Sequence, residues 1–70
     1  MTEREKILHY LHINFKWHNN EYIHSTSISV FIDCEEPYII ESNKNESATF
    51  KTLLGLKRHF NRFILKYYNN

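Results

Sequence analysis

Ile7, Leu8, Leu11 and Phe15 recur at three- and four-residue intervals, the spacing of one helix face. Just ahead of them, Thr2 and Glu5 stand three residues apart as a capping box, in which a Thr hydroxyl and a Glu carboxylate satisfy the first free N–H groups of a helix. Together they predict a helix from Glu3 to Asn14. From Leu11 to Trp17 the chain alternates strictly between apolar and polar residues, which is the strand period. Strand character therefore enters over Ile13–Trp17. His18-Asn19-Asn20-Glu21 reads as a tight reversal, because Asn tolerates a positive φ.

Glu21 to Asp33 reads as one strand. Ile28, Val30 and Ile32 lie on one face; Ser27, Ser29 and Asp33 lie on the other, with Phe31 as the apolar exception. Thr26 and Val30 add β-branched residues that suit a pleated surface. Glu35-Glu36-Pro37 marks a turn, since Pro37 cannot continue a ladder. Tyr38–Glu41 forms a second strand, and the hairpin points Ile40 at the same core as Ile32. Ser42–Glu46 is a polar loop, and Ser47 stands as the N-cap of a final helix over residues 48–68, about 30 Å long. The expected fold is α+β: a small antiparallel sheet of two or three strands, packed by an N-terminal helix and a long amphipathic C-terminal helix. The third strand exists if Leu11–Trp17 pairs with Glu21–Asp33.

A helical wheel of the last segment separates two sides. With Lys51 at zero, Arg58, Arg62 and Lys66 fall at about −20°, +20° and +60°. Gly55 lies among them, His59 sits at the edge, and Leu54 and Leu65 flank the stripe. Leu53, Leu56, Phe60, Ile64 and Tyr67 take the opposite side, with Phe63 towards the other flank. Gly55 costs about 1 kcal/mol relative to Ala inside a helix, so a close backbone approach or a crowded packing contact is expected there.

Charge sharpens this picture. Residues 1–50 hold four basic residues against all eight acidic ones, net −4, while residues 51–70 hold five basic residues and no acid. Cations near a helix C-terminus also complement its dipole, so part of the stripe has a purely structural explanation. What is unusual is that no acid is interleaved to form ion pairs within the helix. Lys51, Gly55, Arg58, His59, Arg62 and Lys66 are the candidate partner-binding residues.

Seventy residues make a single domain, residues 1–70, with a marginal core. The single cysteine, Cys34, excludes an intrachain disulfide and fits a reducing, cytoplasmic setting. No apolar run approaches a membrane span. Five Phe, five Tyr and one Trp must supply the core. Phe15 and Trp17 are assigned to it. Tyr22, Phe31, Tyr38 and Tyr68 exceed what so small a core can bury, and are expected in part at the surface as interface anchors.

Five histidines raise a metal reading, with His9 and His12 three apart and His18, His24, Asp33 or Cys34 as a third ligand. Their spacing matches no metal motif, so no metal and no cofactor are expected. Ser25, Ser27, Ser29 and Cys34 have no base marked beside them. Glu35 and Glu36 sit on an exposed turn, a single Gly excludes a phosphate loop, and a chain this short is not expected to enclose ~300 Å³. No catalytic residues are assigned, and an enzyme is not expected.

The remaining expectation is a small interaction protein that modulates or inhibits a larger host protein, docking on its acidic surface through the basic helix. The AT-rich codons of its frequent Asn, Ile, Lys, Tyr and Phe fit a phage or mobile-element source. The alternative is a nucleic-acid binder that sets the same cations on phosphate. A membrane role ranks last, because the apolar helix face is needed by the core, and a homodimer fits the surplus of aromatics.

Overall fold

In the computed structural model, described over residues 1–24, 27–32, 36–42 and 46–68, the chain runs through a helix, a five-stranded sheet and a second helix. Ser25, Thr26, Asp33, Cys34 and Glu35 lie outside the described residues, as do the side chains of Tyr67 and Tyr68. Helix α1 spans Glu3–Asn14, and both halves of its capping box are formed. Thr2 Oγ1 accepts from the Glu5 N–H at 3.1 Å, and Glu5 Oε1 accepts from the Thr2 N–H at 2.8 Å. That bond to backbone, first, and the Thr2 hydroxyl, second, hold the Glu5 carboxyl below its ordinary pKa. The helix stops at Phe15, whose backbone is already extended.

Strands β1 (Lys16–His18), β2 (Glu21–Ile23), β3 (Ile28–Phe31), β4 (Tyr38–Ser42) and β5 (Ser47–Phe50) form an antiparallel meander in sequential order. The sheet has five strands, where the sequence pattern predicts two or three. One reason is the reversal inside Glu21–Asp33. Ser27 adopts a positive φ of 68° and donates to the His24 carbonyl, while the His24 N–H donates to Ile28 O at 2.9 Å. A hairpin thus forms without Gly or Pro. The other reason is β5. Ser47 is a strand residue and not a helix cap, because Ala48 pairs with Ile40 and Phe50 with Tyr38.

The β1–β2 reversal is as the sequence predicts. Asn19 and Asn20 have φ of 49° and 65°, and His18 pairs with Glu21 across them. These are the angles of a type I′ hairpin turn, whose twist matches that of the strands.

Tyr22, Ile28, Val30, Ile32, Tyr38, Ile40 and Phe50 lie buried on one sheet face, beneath Ile7 and Leu11 of α1, its C-cap Phe15, and the second helix. Helix α2 spans Leu53–Phe63, capped by Thr52, and opens into a wider π-helical turn over Ile64–Tyr68. It is much shorter than the 48–68 helix predicted, because residues 47–50 belong to the sheet. Both tyrosines described by the sheet register, Tyr22 and Tyr38, are core residues rather than surface anchors, whereas Trp17 is half exposed rather than buried. The same-face register explains both: Tyr22 and Tyr38 sit on inner strands under the helices, and Trp17 sits on the edge strand.

Two polar ties join the layers. Glu3 Oε2 accepts from the Leu53 N–H at 3.1 Å, so a carboxylate of α1 caps the positive end of α2. Arg4 donates to Ile32 O at 3.1 Å and to the Tyr38 hydroxyl at 3.3 Å, with its guanidinium over the Tyr38 ring. Arg4→Ala leaves the buried Tyr38 hydroxyl without this donor, and is expected to cost about 1–2 kcal/mol by urea unfolding. Arg4→Lys recovers only part, since one ammonium cannot match the planar fork.

Candidate interaction surface on the second helix

Leu56 and Phe63 of α2 are buried, and Leu53, Phe60 and Ile64 are half-buried against the core. That fixes the outer face. Leu54, Lys57, Arg58, Asn61, Arg62, Leu65 and Lys66 are exposed, with Leu54 and Leu65 at 60% and 64%. The midline of this face is therefore not purely basic. Leu54 and Leu65 stand at its two ends, Arg58 and Asn61 lie between them, and Lys57 and Arg62 run along the sides.

The candidate residues separate on this frame. Lys51 is exposed but precedes the helix, just ahead of the Thr52 cap. Arg58, Arg62 and Lys66 follow one another on the outer face as the wheel predicts. Gly55 and His59 are half-buried and turn inward. A Cβ on Gly55 would lie 3.3 Å from Thr52 Oγ1 and 3.4 Å from Phe50 Cβ. Gly55 thus serves a crowded contact within the fold, where the start of α2 meets β5. The Nδ1 atom of His59 is buried without a hydrogen-bond partner among the described residues. Lys57, absent from the sequence-derived set, joins the surface with its ammonium 5.3 Å from the Tyr10 ring centroid. Burial pushes the Tyr10 hydroxyl above its ordinary pKa, so it stays neutral beside that cation.

An acid does reach the stripe, from outside the helix. Glu46, just ahead of β5, sits 3.0 Å from Lys66 Nζ and 3.6 Å from Arg62 Nη2. The sequence could not show this pairing, because the β4–β5 connection brings together residues far apart in the chain. Exposed pairs of this kind contribute at most about 1 kcal/mol, so Glu46 orients the two cations more than it locks them. No ion pair to Lys51, Lys57 or Arg58 is formed among the described residues.

No known protein family, curated protein or solved structure matches the chain. The surface must therefore be read from its own chemistry. Glu21 and Glu41 alternate with buried Tyr22 and Ile40, which turns them to the open sheet face, away from the helices. Ile23, Phe31 and Ile39 share that open face and are half-buried.

Among the described residues, no group of three or more His, Cys, Asp or Glu is placed to hold a metal ion, and no helix is long and apolar enough to cross a membrane. An open groove of about 540 Å³ lies beside β1 on the surface.

Proposed function

We propose that the protein is a non-enzymatic binding module that docks through the outer face of α2 on an acidic surface of a larger protein and modulates it. The observation that carries this reading is the pairing of Leu54 and Leu65 with Lys57, Arg58 and Arg62 on one exposed face. Leu65 stands eleven positions after Leu54, roughly 16 Å along a helix. Apolar anchors bracketed by cations suit a partner with an apolar groove rimmed by carboxylates, where arginine makes bidentate contacts.

The second reading, a nucleic-acid binder, draws on one observation. Glu21 and Glu41 face away from α2, so these two carboxylates do not oppose phosphate there, and Glu46 is the acid that meets the stripe among the described residues. Exposed leucines add nothing to phosphate contact, which ranks this reading below the first.

Two paired variants separate them. In pull-downs from a host lysate followed by titration of the recovered partner, Leu54→Ser and Lys57→Glu/Arg58→Glu should each weaken capture, the charge reversal by roughly a hundredfold or more. Circular dichroism should be unchanged, because all three side chains are exposed. If Leu54→Ser has no effect while the charge reversal abolishes retention on duplex or single-stranded DNA at low salt, the partner is nucleic acid. Equal capture by all variants would remove α2 from the interface.

A further inference from the structure

Strand β1 is an open sheet edge: it pairs with β2 alone, and Lys16, Trp17 and His18 are all exposed. In a two-residue hairpin the closing pair, here His18 and Glu21, exchanges both backbone hydrogen bonds, and the next pair exchanges none. The N–H and C=O of Trp17 therefore point away from β2. Neither has a backbone partner among the described residues. The groove of about 540 Å³ runs beside this edge, lined by Asn14, Lys16, Trp17, His18, Ile23 and His24. Among the described residues, no carboxylate lines it. Alternation along β1 sends Lys16 and His18 to one side of the strand and the half-exposed indole of Trp17 to the other.

We infer that this edge accepts an extended acidic segment of a partner protein as a sixth strand. Backbone bonds to Trp17 would hold the segment, carboxylates would face Lys16 and His18, and an apolar residue would rest on the indole. Charge decides against a second copy of this chain. Antiparallel pairing of two β1 strands about Trp17 would set Lys16 of each copy opposite His18 of the other, so neither lysine gains a carboxylate partner across the new seam; Glu21, which pairs with His18, lies on the β2 side of the strand. Lysine on a short edge strand discourages such self-pairing. This surface is separate from the outer face of α2 and does not depend on it.

The test is a titration of the ¹⁵N-labelled protein with a blocked peptide of alternating Glu and Val. Two controls are the same peptide with Lys for Glu, and the Glu peptide N-methylated on alternate amides. The single Trp gives one indole signal, a direct reporter on the groove. Expected are shifts centred on Lys16–His18 and that indole. Binding should be roughly tenfold weaker for the N-methylated peptide, which cannot pair as a strand, and roughly fivefold weaker for Lys16→Glu than for wild type. The inference is overturned if the N-methylated or Lys peptide binds as well as the Glu peptide. It is equally overturned by shifts centred on α2, or by no binding at millimolar peptide.

Discussion

Phe63→Ala should lower the unfolding free energy by about 3–5 kcal/mol, while Leu65→Ala, two residues on, should change it by no more than about 0.5 kcal/mol. The two side chains are similar in apolar character and opposite in placement. Phe63 is fully buried, and Leu65 is 64% exposed. Truncating Phe63 removes a large ring from the junction of α2 with the sheet and leaves a cavity the neighbours cannot fill. A domain of this length holds only about 4–10 kcal/mol in total, so the variant should be partly unfolded at room temperature. Urea titration followed by circular dichroism reads both effects. The midpoint should fall steeply for Phe63→Ala and stay in place for Leu65→Ala, with similar slopes. Comparable losses for the two would mean that α2 presents a different face to the core, and would remove the basis for the docking surface.

This contrast also shows how far the chain could be read. The wheel placed Leu56 and the flanking leucines correctly, because amphipathic spacing is a local property that survives into the fold. The capping box at Thr2 and the Asn19-Asn20 reversal were legible for the same reason: each is decided by residues within one turn of the chain. Strand β5 was not legible. Ser47-Ala48-Thr49-Phe50 is too short to show a period, and its state is set by Tyr38 and Ile40, which only the folded sheet brings alongside. The break at His24–Ser27 was hidden because a serine, not a glycine, takes the left-handed conformation.

The candidate surface divides in the same way. Arg58, Arg62, Lys66 and the two flanking leucines are legible in the sequence. Lys57 is not, because its place on the outer face depends on which side of α2 packs on the core. The Glu46 pairing is non-local as well: it orients Arg62 and Lys66, while no ion pair to Lys51, Lys57 or Arg58 is formed among the described residues. Gly55 is costly inside a helix, and the crowded contact with Phe50 and Thr52 accounts for its presence.

Phe15→Ala should remove about 3–5 kcal/mol at neutral pH and also flatten the dependence of stability on pH. Phe15 is buried, with its ring 5.2 Å from the His24 ring and 5.3 Å from Phe60, and His24 lies 4.9 Å from Phe60. Three rings from the C-cap of α1, the end of β2 and α2 thus meet at one point. Burial pushes the His24 imidazole below its ordinary pKa. A histidine so depressed binds fewer protons folded than unfolded. Its contribution to stability is fully present above about pH 6.5, the unfolded value, and is lost as pH falls towards the folded pKa. Wild-type stability should therefore decline on that acid limb, before the carboxylates titrate. Glu5, also depressed, adds its own loss only in the lower carboxylate range. Opening one side of the ring cluster to water relieves the burial of His24, so Phe15→Ala should be less stable throughout and lose less on acidification. Urea midpoints at about pH 8 and about pH 5.5 for both proteins measure this. An unchanged acid limb in the variant would place the pH dependence elsewhere in the molecule. A limb that disappears together with the His24 imidazole shift, followed by NMR, would tie it to this cluster of rings.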